Sequence, residues 1–253
     1  MEARVAALTT RFTLLEESIK QLTLAFSSVG GAPTASTITT TTTAKIPPPP
    51  TLDPCSDDTP DVAKLRALCR TLPLHSAVFK WVASDYYDKP LTWRRDTLQA
   101  PSIKHLCKSI LLENTHCEFE DCSKRENSRY YLIVFQYVEK FDSDKLMKYI
   151  RDLNPGVGKK KFNFRLADPA VSATLTGFGY NAVAPFGGAV EIPIVLSAGV
   201  ATSMSPNYFW MGGGHADCKL RVDVDEFVSV LKPFVADIAT PLSEEELKPL
   251  LAE

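Results

Sequence analysis

HLCKSILLENT, residues 105–115, opens with HLCKSILL, which reads as a strand destined for burial, and one charged residue, Lys108, interrupts that run. A lysine in such a stretch either snorkels at a sheet edge or points into a site, where burial obliges it to find a counter-charge or a phosphate. Six further runs rich in β-branched and aromatic residues, bounded by Gly, Pro, Asn or Asp, surround it: SAVFKWVASDYY (76–87), RYYLIVFQYV (129–138), KFNFRLA (161–167), EIPIVLS (191–197), YFWMGGG (208–214) and CKLRVDV (218–224). Between them lie helix patterns. DVAKLRALCRTLP (61–73) carries apolar residues at Val62, Leu65, Leu68, Cys69 and Leu72, with Asp61 as its cap and Pro73 as its stop. DSDKLMKYIRDLN (142–154) and DPAVSATLTGFG (168–179) begin on acidic residues and end on Asn or Gly. DVDEFVSVLKPF (223–234) is another helix, and LSEEELKPLLAE (242–253) a short acidic one. From residue 61 to 253 the chain is expected to form one α+β domain, with no internal repeat.

Ahead of it the organisation changes twice. Val5, Leu8, Phe12, Leu15, Ile19, Leu22 and Phe26 recur at alternating spacings of three and four, an a/d seam that predicts a coiled-coil-type helix over residues 1–28 in need of a partner. Residues 29–60 are rich in Ser, Thr, Gly and Pro and include Pro47 to Pro50, the composition of a flexible linker. A helix on a long tether suits binding a second copy or another chain through residues 5–26.

Composition narrows the function classes. The 253 residues carry 28 Lys and Arg against 30 Asp and Glu, a formal charge of −2, so no bulk nucleic-acid-binding field is present. Residues 61–239 alone hold 23 basic and 20 acidic residues, a mildly basic middle between acidic ends. Hydrophobic residues at 45% support a core and exclude a collagen-like or mucin-like chain. No apolar run reaches membrane-spanning length and the start lacks a secretory apolar region, so a cytoplasmic protein without a membrane partner is expected. Six cysteines are too sparse for a disulfide framework and read as reduced thiols. Cys117 and Cys122, beside His116, have poor zinc spacing, so neither a metal nor a cofactor is expected.

The sequence contains no nucleophile elbow, phosphate-binding P-loop, zinc-protease helix or dinucleotide fingerprint. Two glycine-rich segments accompany Lys108 as oddities. TGFGYNAVAPFGG (176–188) is either a structural loop or a loop whose main-chain groups meet a ligand. WMGGGHADCKL (210–220) ends a strand in three glycines followed by His215, which either lines a pocket or sits in a surface turn. Lys159, Lys160, Lys161 and Arg165 form a basic cluster that is either a solvated turn or a contact for an RNA backbone. Arg94 and Arg95 beside Trp93 read as an amphipathic surface segment or a second RNA contact.

HLCKSILLENT, TGFGYNAVAPFG and YFWMGGGHADCKLRVDVDEF, in this order with strands between, resemble the YbaK/prolyl-tRNA synthetase editing-domain family over roughly residues 62–237, and its free-standing eukaryotic members in particular. Lys108, in the K-[ST] strand, is the most specific match. The resemblance implies an α+β fold with a mixed, partly barrel-like sheet flanked by helices. It implies an aminoacyl-tRNA deacylase acting in trans, which hydrolyses the ester of a mischarged small amino acid because a synthetase pocket alone cannot reject it. Lys108 would be the essential lysine, stabilising charge during hydrolysis. Gly179, Asn181, Ala184, Pro185 and Gly187 would belong to the G-x-x-x-P loop that positions the aminoacyl group, with Gly213, Gly214 and His215 lining the amino-acid pocket. Counting back from Pro185, the first glycine of that motif is replaced by Asn181, a residue that tolerates positive φ. The partners implied are tRNA, through Lys159, Lys160, Lys161 and Arg165, and a synthetase near which the tether would hold the domain. The alternative is a non-catalytic tRNA-binding or scaffold module that joins a synthetase complex through its N-terminal helix.

Overall fold

The structure, a computed structural model, describes residues 49–252; the expected helix over residues 1–28 and the linker up to residue 48 lie outside the described residues. The strand with Lys108 is β2 (Cys107–Asn114), and both of its edges are occupied. It pairs antiparallel with β3 (Tyr130–Gln136), setting Lys108 opposite Phe135, and antiparallel with β5 (Phe164–Leu166) near its far end. β3 pairs in parallel with β6 (Ile194–Ser197), and β6 in parallel with β9 (Phe234–Ala236), giving the order β5-β2-β3-β6-β9. A second sheet, β1 (Val78–Trp81), β8 (Cys218–Asp223) and β7 (Tyr208–Gly212), is antiparallel throughout. β4 (Glu139–Phe141) and β10 (Ala239–Pro241) form a two-stranded ribbon. The two larger sheets are joined by the single bridge Leu106–Trp210. The fold is mixed α+β with sheets flanked by helices, as expected, and among the described residues the sheets form no closed barrel. β5 pairs only with Leu112–Asn114 of β2, and β7 meets the start of that strand in the Leu106–Trp210 bridge.

Strand alternation gives the five-stranded sheet two apolar faces. Cys107, Val134, Ile194 and Leu196 point into the main core with Phe209, Leu220, Phe227 and the loop residues Phe178, Ala184 and Phe186. Ile110, Leu112, Tyr131, Ile133, Phe135 and Val195 point the other way, where Leu146 and Ile150 of α3 (Ser143–Leu153) cover them. Lys108 stands on this second face, over the Phe135 ring. A third cluster, built on Tyr86, Leu91, Leu98, Leu106 and Trp210, fills the end of the sheets.

The acidic helix starts are true caps. Asp142 accepts hydrogen bonds from the amides of Asp144 and Lys145, Asp168 of α4 (Pro169–Thr176) from Ala170, and Asp223 of α6 (Val224–Leu231) from Glu226. α7 (Glu244–Leu251) begins in a capping box of Ser243 and Glu246. In α1 (Pro60–Thr71) the cap is Thr59 and not Asp61, since Pro60 has the fixed φ suited to the first helical position. Two helices carry no clear sequence signal. α2 (Leu91–Leu98) is preceded by Pro90, which offers no capping side chain, and ends on Gln99 at φ 54°. α5 (Ala198–Ser203) is one short turn capped by Ser197. Of SAVFKWVASDYY only Val78–Trp81 is strand, and Tyr86–Asp88 form a 3-10 turn that buries Tyr86.

Residues 49–60, which composition places in the linker, belong to the folded body. Leu52 is fully buried, Asp58 pairs with Arg66 at 2.5 Å, and Arg66 and Arg70 donate to the carbonyls of Thr51 and Leu52. One apolar side chain and one carboxylate, each with a partner on α1, are enough to dock a segment of linker-like composition. Among the described residues no helix is long and apolar enough to cross a membrane.

Candidate functional site

Lys108 opens into a cleft of about 750 Å³ between the end of the five-stranded sheet, α2 and α7; its walls include Lys89, Arg94, Phe135, Tyr137, Glu139 and Glu246. The ammonium lies 4.7 Å from the Phe135 ring centre and 5.5 Å from that of Tyr137. Among the described residues Lys108 forms no ion pair, and desolvation lowers its pKa from the ordinary lysine value. Of the three carboxylates that line the cleft, Asp88, Glu139 and Glu246, the last two are engaged elsewhere. Glu139 accepts from the Gln136 amide and the Ser197 hydroxyl at 3.2 Å each, and Glu246 accepts from the Ser243 amide and pairs with Lys140. Such a lysine lacks a negative partner that a phosphate or a developing oxyanion would supply. Lys108 is thus a partly desolvated, unpaired cation in the wall of a cleft.

Behind the cleft lies a cage that sequence reasoning missed. Lys219 on β8 is 3% exposed; its ammonium donates to the Tyr87 hydroxyl at 3.0 Å and to the Ala216 carbonyl, with the Tyr86 and Tyr87 rings 4.8 and 4.2 Å away. Burial pushes its pKa down to about 8. Arg94 of α2 faces the rings of Tyr86, Tyr87 and Tyr137 at 5.3 to 5.7 Å and donates to the carbonyls of Lys89 and Tyr87. Tyr137 lines both the Lys108 cleft and the narrow crevice that holds Lys219, Tyr87 and Trp210. In sequence, Lys219 alternates with the buried Cys218, Leu220 and Val222, the pattern of a solvent-facing strand position. Only the Tyr86–Asp88 turn, remote in sequence, closes over it. Arg94, by contrast, was legible beside Trp93.

The glycine-rich loop and the glycine triplet are packed against each other. Gly214 donates to the Ala182 carbonyl at 3.1 Å, and a Cβ on Gly212 would lie 2.4 Å from the Val183 carbonyl oxygen. Gly213 and Gly214 are buried, Gly214 at φ 91° against Leu65 of α1; Gly187, at φ 76°, is also closed over by Leu65. Ala184 and Pro185 are buried, Ala184 in the main core on the face of the sheet opposite to Lys108. The loop tip is different. Gly179 and Tyr180 are exposed, Asn181 takes φ 61°, and the Asn181 carbonyl accepts a 3.0 Å hydrogen bond from the Tyr87 hydroxyl. A chain thus runs from Lys219 through Tyr87 to the tip.

His215 is apart from the cleft: its ring lies 5.3 Å from that of Trp81, and its Nδ1 accepts from the Asp217 amide. Lys159, Lys160 and Lys161 form an exposed 3-10 turn, and Arg165 lies exposed on β5 opposite Glu113. Glu113 is five residues along β2 from Lys108, about 17 Å at an ordinary strand rise. Lys161 is ion-paired with Glu118 at 2.8 Å. Cys117 donates weakly to Asn127, the His116 ring contacts the Lys160 carbonyl, and among the described residues no group of three His, Cys, Asp or Glu gathers as metal ligands.

No protein-family profile matches the sequence, and no curated protein matches it. Solved structures do. A candidate trans-editing enzyme for prolyl tRNA synthetase superposes with TM-score 0.57 at 16% identity, over 72% of this chain and 99% of that one. A structure from the computational grafting of epitopes onto scaffold proteins gives TM-score 0.56 at 16% identity, over 73% and 100% of the two chains. A hypothetical protein gives 0.53 at 16%, over 70% and 99%. The domain therefore has a mixed α+β fold similar to that of an editing domain; at this identity the likeness concerns the fold alone.

Proposed function

We propose that this protein is an aminoacyl-tRNA deacylase acting in trans, with Lys108 as its essential cation. One observation carries the reading: a half-buried lysine without an ion pair lines a cleft within the size range of ligand sites, next to the partly buried cation of Arg94. The fold likeness to a candidate trans-editing enzyme is consistent with this reading. In the reaction, water attacks the ester carbonyl, the carbonyl electrons move onto oxygen, and collapse expels the ribose oxygen, which takes up a proton. The products are a free amino acid and tRNA with an unesterified 3′ end. Negative charge grows on the carbonyl oxygen, and the Lys108 ammonium, poorly solvated and unpaired, stabilises it or the terminal phosphate.

The other expected residues divide by burial. The tip, Gly179 and Asn181, borders the substrate, while Ala184, Pro185, Gly187, Gly213 and Gly214 hold it from below. His215, on the Trp81 side, takes no part. Lys159, Lys160, Lys161 and Arg165 meet the tRNA backbone some distance from the ester. Residues 5–26 dock a synthetase or a second copy, raising the local concentration of a domain with little net charge.

The test is hydrolysis of a panel of labelled mischarged tRNAs, with alanyl, cysteinyl and seryl esters first, at low salt. Wild type is expected to clear one or a few small esters, and Lys108→Ala to lose about 100-fold or more in rate. Equal rates for the two proteins remove Lys108 from the chemistry. No turnover of any ester, with tRNA or synthetase still bound, leaves the scaffold alternative.

A further inference from the structure

Tyr180 is 90% exposed, the most exposed large hydrophobic side chain among the described residues. Nothing in the packing requires it there, yet the backbone beneath it is firmly held. The Ala182 amide donates to the Gly179 carbonyl at 3.1 Å, closing a four-residue turn with Tyr180 at its second position and Asn181, at φ 61°, at its third. Phe178 and Ala182, on either side of the turn, are buried, and the Asn181 carbonyl is fixed by the Tyr87 hydroxyl. The result is a rigid base carrying a free aromatic ring. Its turn is also tied towards the cleft, since the Tyr87 hydroxyl that holds Asn181 belongs to a ring 5.3 Å from the guanidinium of Arg94, which lines the Lys108 cleft. The charged residues of that cleft are the cations Lys89, Arg94, Lys108 and Lys140 and the carboxylates Asp88, Glu139 and Glu246, and Lys108 forms no ion pair among the described residues.

An exposed ring on a turn linked to a cleft with an unpaired lysine and an arginine matches single-stranded RNA, whose unstacked bases lie on aromatic faces while lysine and arginine meet the phosphates. We infer that Tyr180 is the stacking platform for a base of the single-stranded tRNA 3′ end, adjacent to the terminal nucleotide held in the Lys108 cleft. The inference rests on the reading that the ligand is a tRNA end, and adds a nucleotide subsite to it. Because the side chain touches so little protein, its removal leaves the fold intact.

The experiment measures binding of a labelled RNA pentamer ending in CCA to the full-length chain, as wild type, Tyr180→Ala and Tyr180→Trp, across a salt series, beside the deacylation assay. Tyr180→Ala is expected to raise Kd about 5- to 100-fold without changing the slope of log K against log salt, since no charge is removed. Tyr180→Trp is expected to restore binding, with its indole fluorescence quenched by the RNA. In deacylation, Tyr180→Ala is expected to raise KM for aminoacyl-tRNA and leave that for aminoacyl-adenosine, which lacks the neighbouring base, unchanged. Equal Kd for wild type and Tyr180→Ala overturns the stacking role, and does so even if the wild type hydrolyses mischarged tRNA. A wild type that neither binds the pentamer nor hydrolyses any ester overturns the deacylase reading and the platform with it.

Discussion

Lys108 and Lys219 are both desolvated cations beside tyrosine rings, but they differ in what they touch. Lys219 has acceptors in Tyr87 and Ala216, whereas Lys108 has rings only. The pH dependence of Lys219 can be worked out in sign. Its pKa falls from 10.5 in the free side chain to about 8 in the folded protein. Below pH 8 both folded and unfolded chains hold the proton, and the folded state bears the full cost of a buried charge. As pH rises from 8 towards 10.5 the unfolded chain holds more protons, so this group makes stability increase, by up to about 1.4 kcal/mol per pH unit. The buried thiols of Cys69 and Cys218, pushed up to about 12, act in the opposite direction once the unfolded thiols ionise near pH 9. Urea unfolding at pH 7 and pH 9 should therefore show wild type gaining stability relative to Lys219→Met. Parallel behaviour of the two proteins would rule out a depressed Lys219.

At the scale of elements, the two glycine-rich segments are a packing device for the loop tip. Gly212 has no room for a side chain, its added Cβ meeting the Val183 carbonyl at 2.4 Å, while Gly179 has nothing within 4 Å and no positive φ. Gly212→Ala is expected to destabilise by about 3 kcal/mol and to displace the 179–183 segment. Gly179→Ala should stay within about 0.5 kcal/mol of wild type. Thermal melting of both variants checks the pair, and similar melting temperatures would show that the triplet is not under this constraint. The functional consequence follows from the chain Lys219, Tyr87, Asn181: whatever shifts β8 shifts the loop tip as well.

For the whole molecule, the chain divides into Met1–Ile46 and Pro47–Glu253. The site residues discussed above all belong to the second unit. A fragment beginning at Pro47 is expected to keep the melting temperature of the full chain and its turnover number on free mischarged tRNA. If the N-terminal segment binds a second copy, gel filtration will show a lower mass for the fragment than its length accounts for. A fragment that fails to fold would mean that the first 46 residues complete the core.

Local signals in the sequence were enough for the α+β class, the seven principal strand regions and the acid-capped helices, because alternation and capping depend on neighbours along the chain. They also singled out Lys108, since a charge in a buried strand is anomalous without any knowledge of the fold. The tertiary structure decided the rest. It set Ala184 and Lys108 on opposite faces of one sheet, which depends on register and crossover direction. It buried Lys219 under Tyr86 and Tyr87, more than 130 positions away by the separation of the Lys219–Tyr87 hydrogen bond. It left Tyr180 bare at the loop tip. Burial is a property of what covers a residue, and here the covering elements come from distant parts of the chain that no local pattern connects.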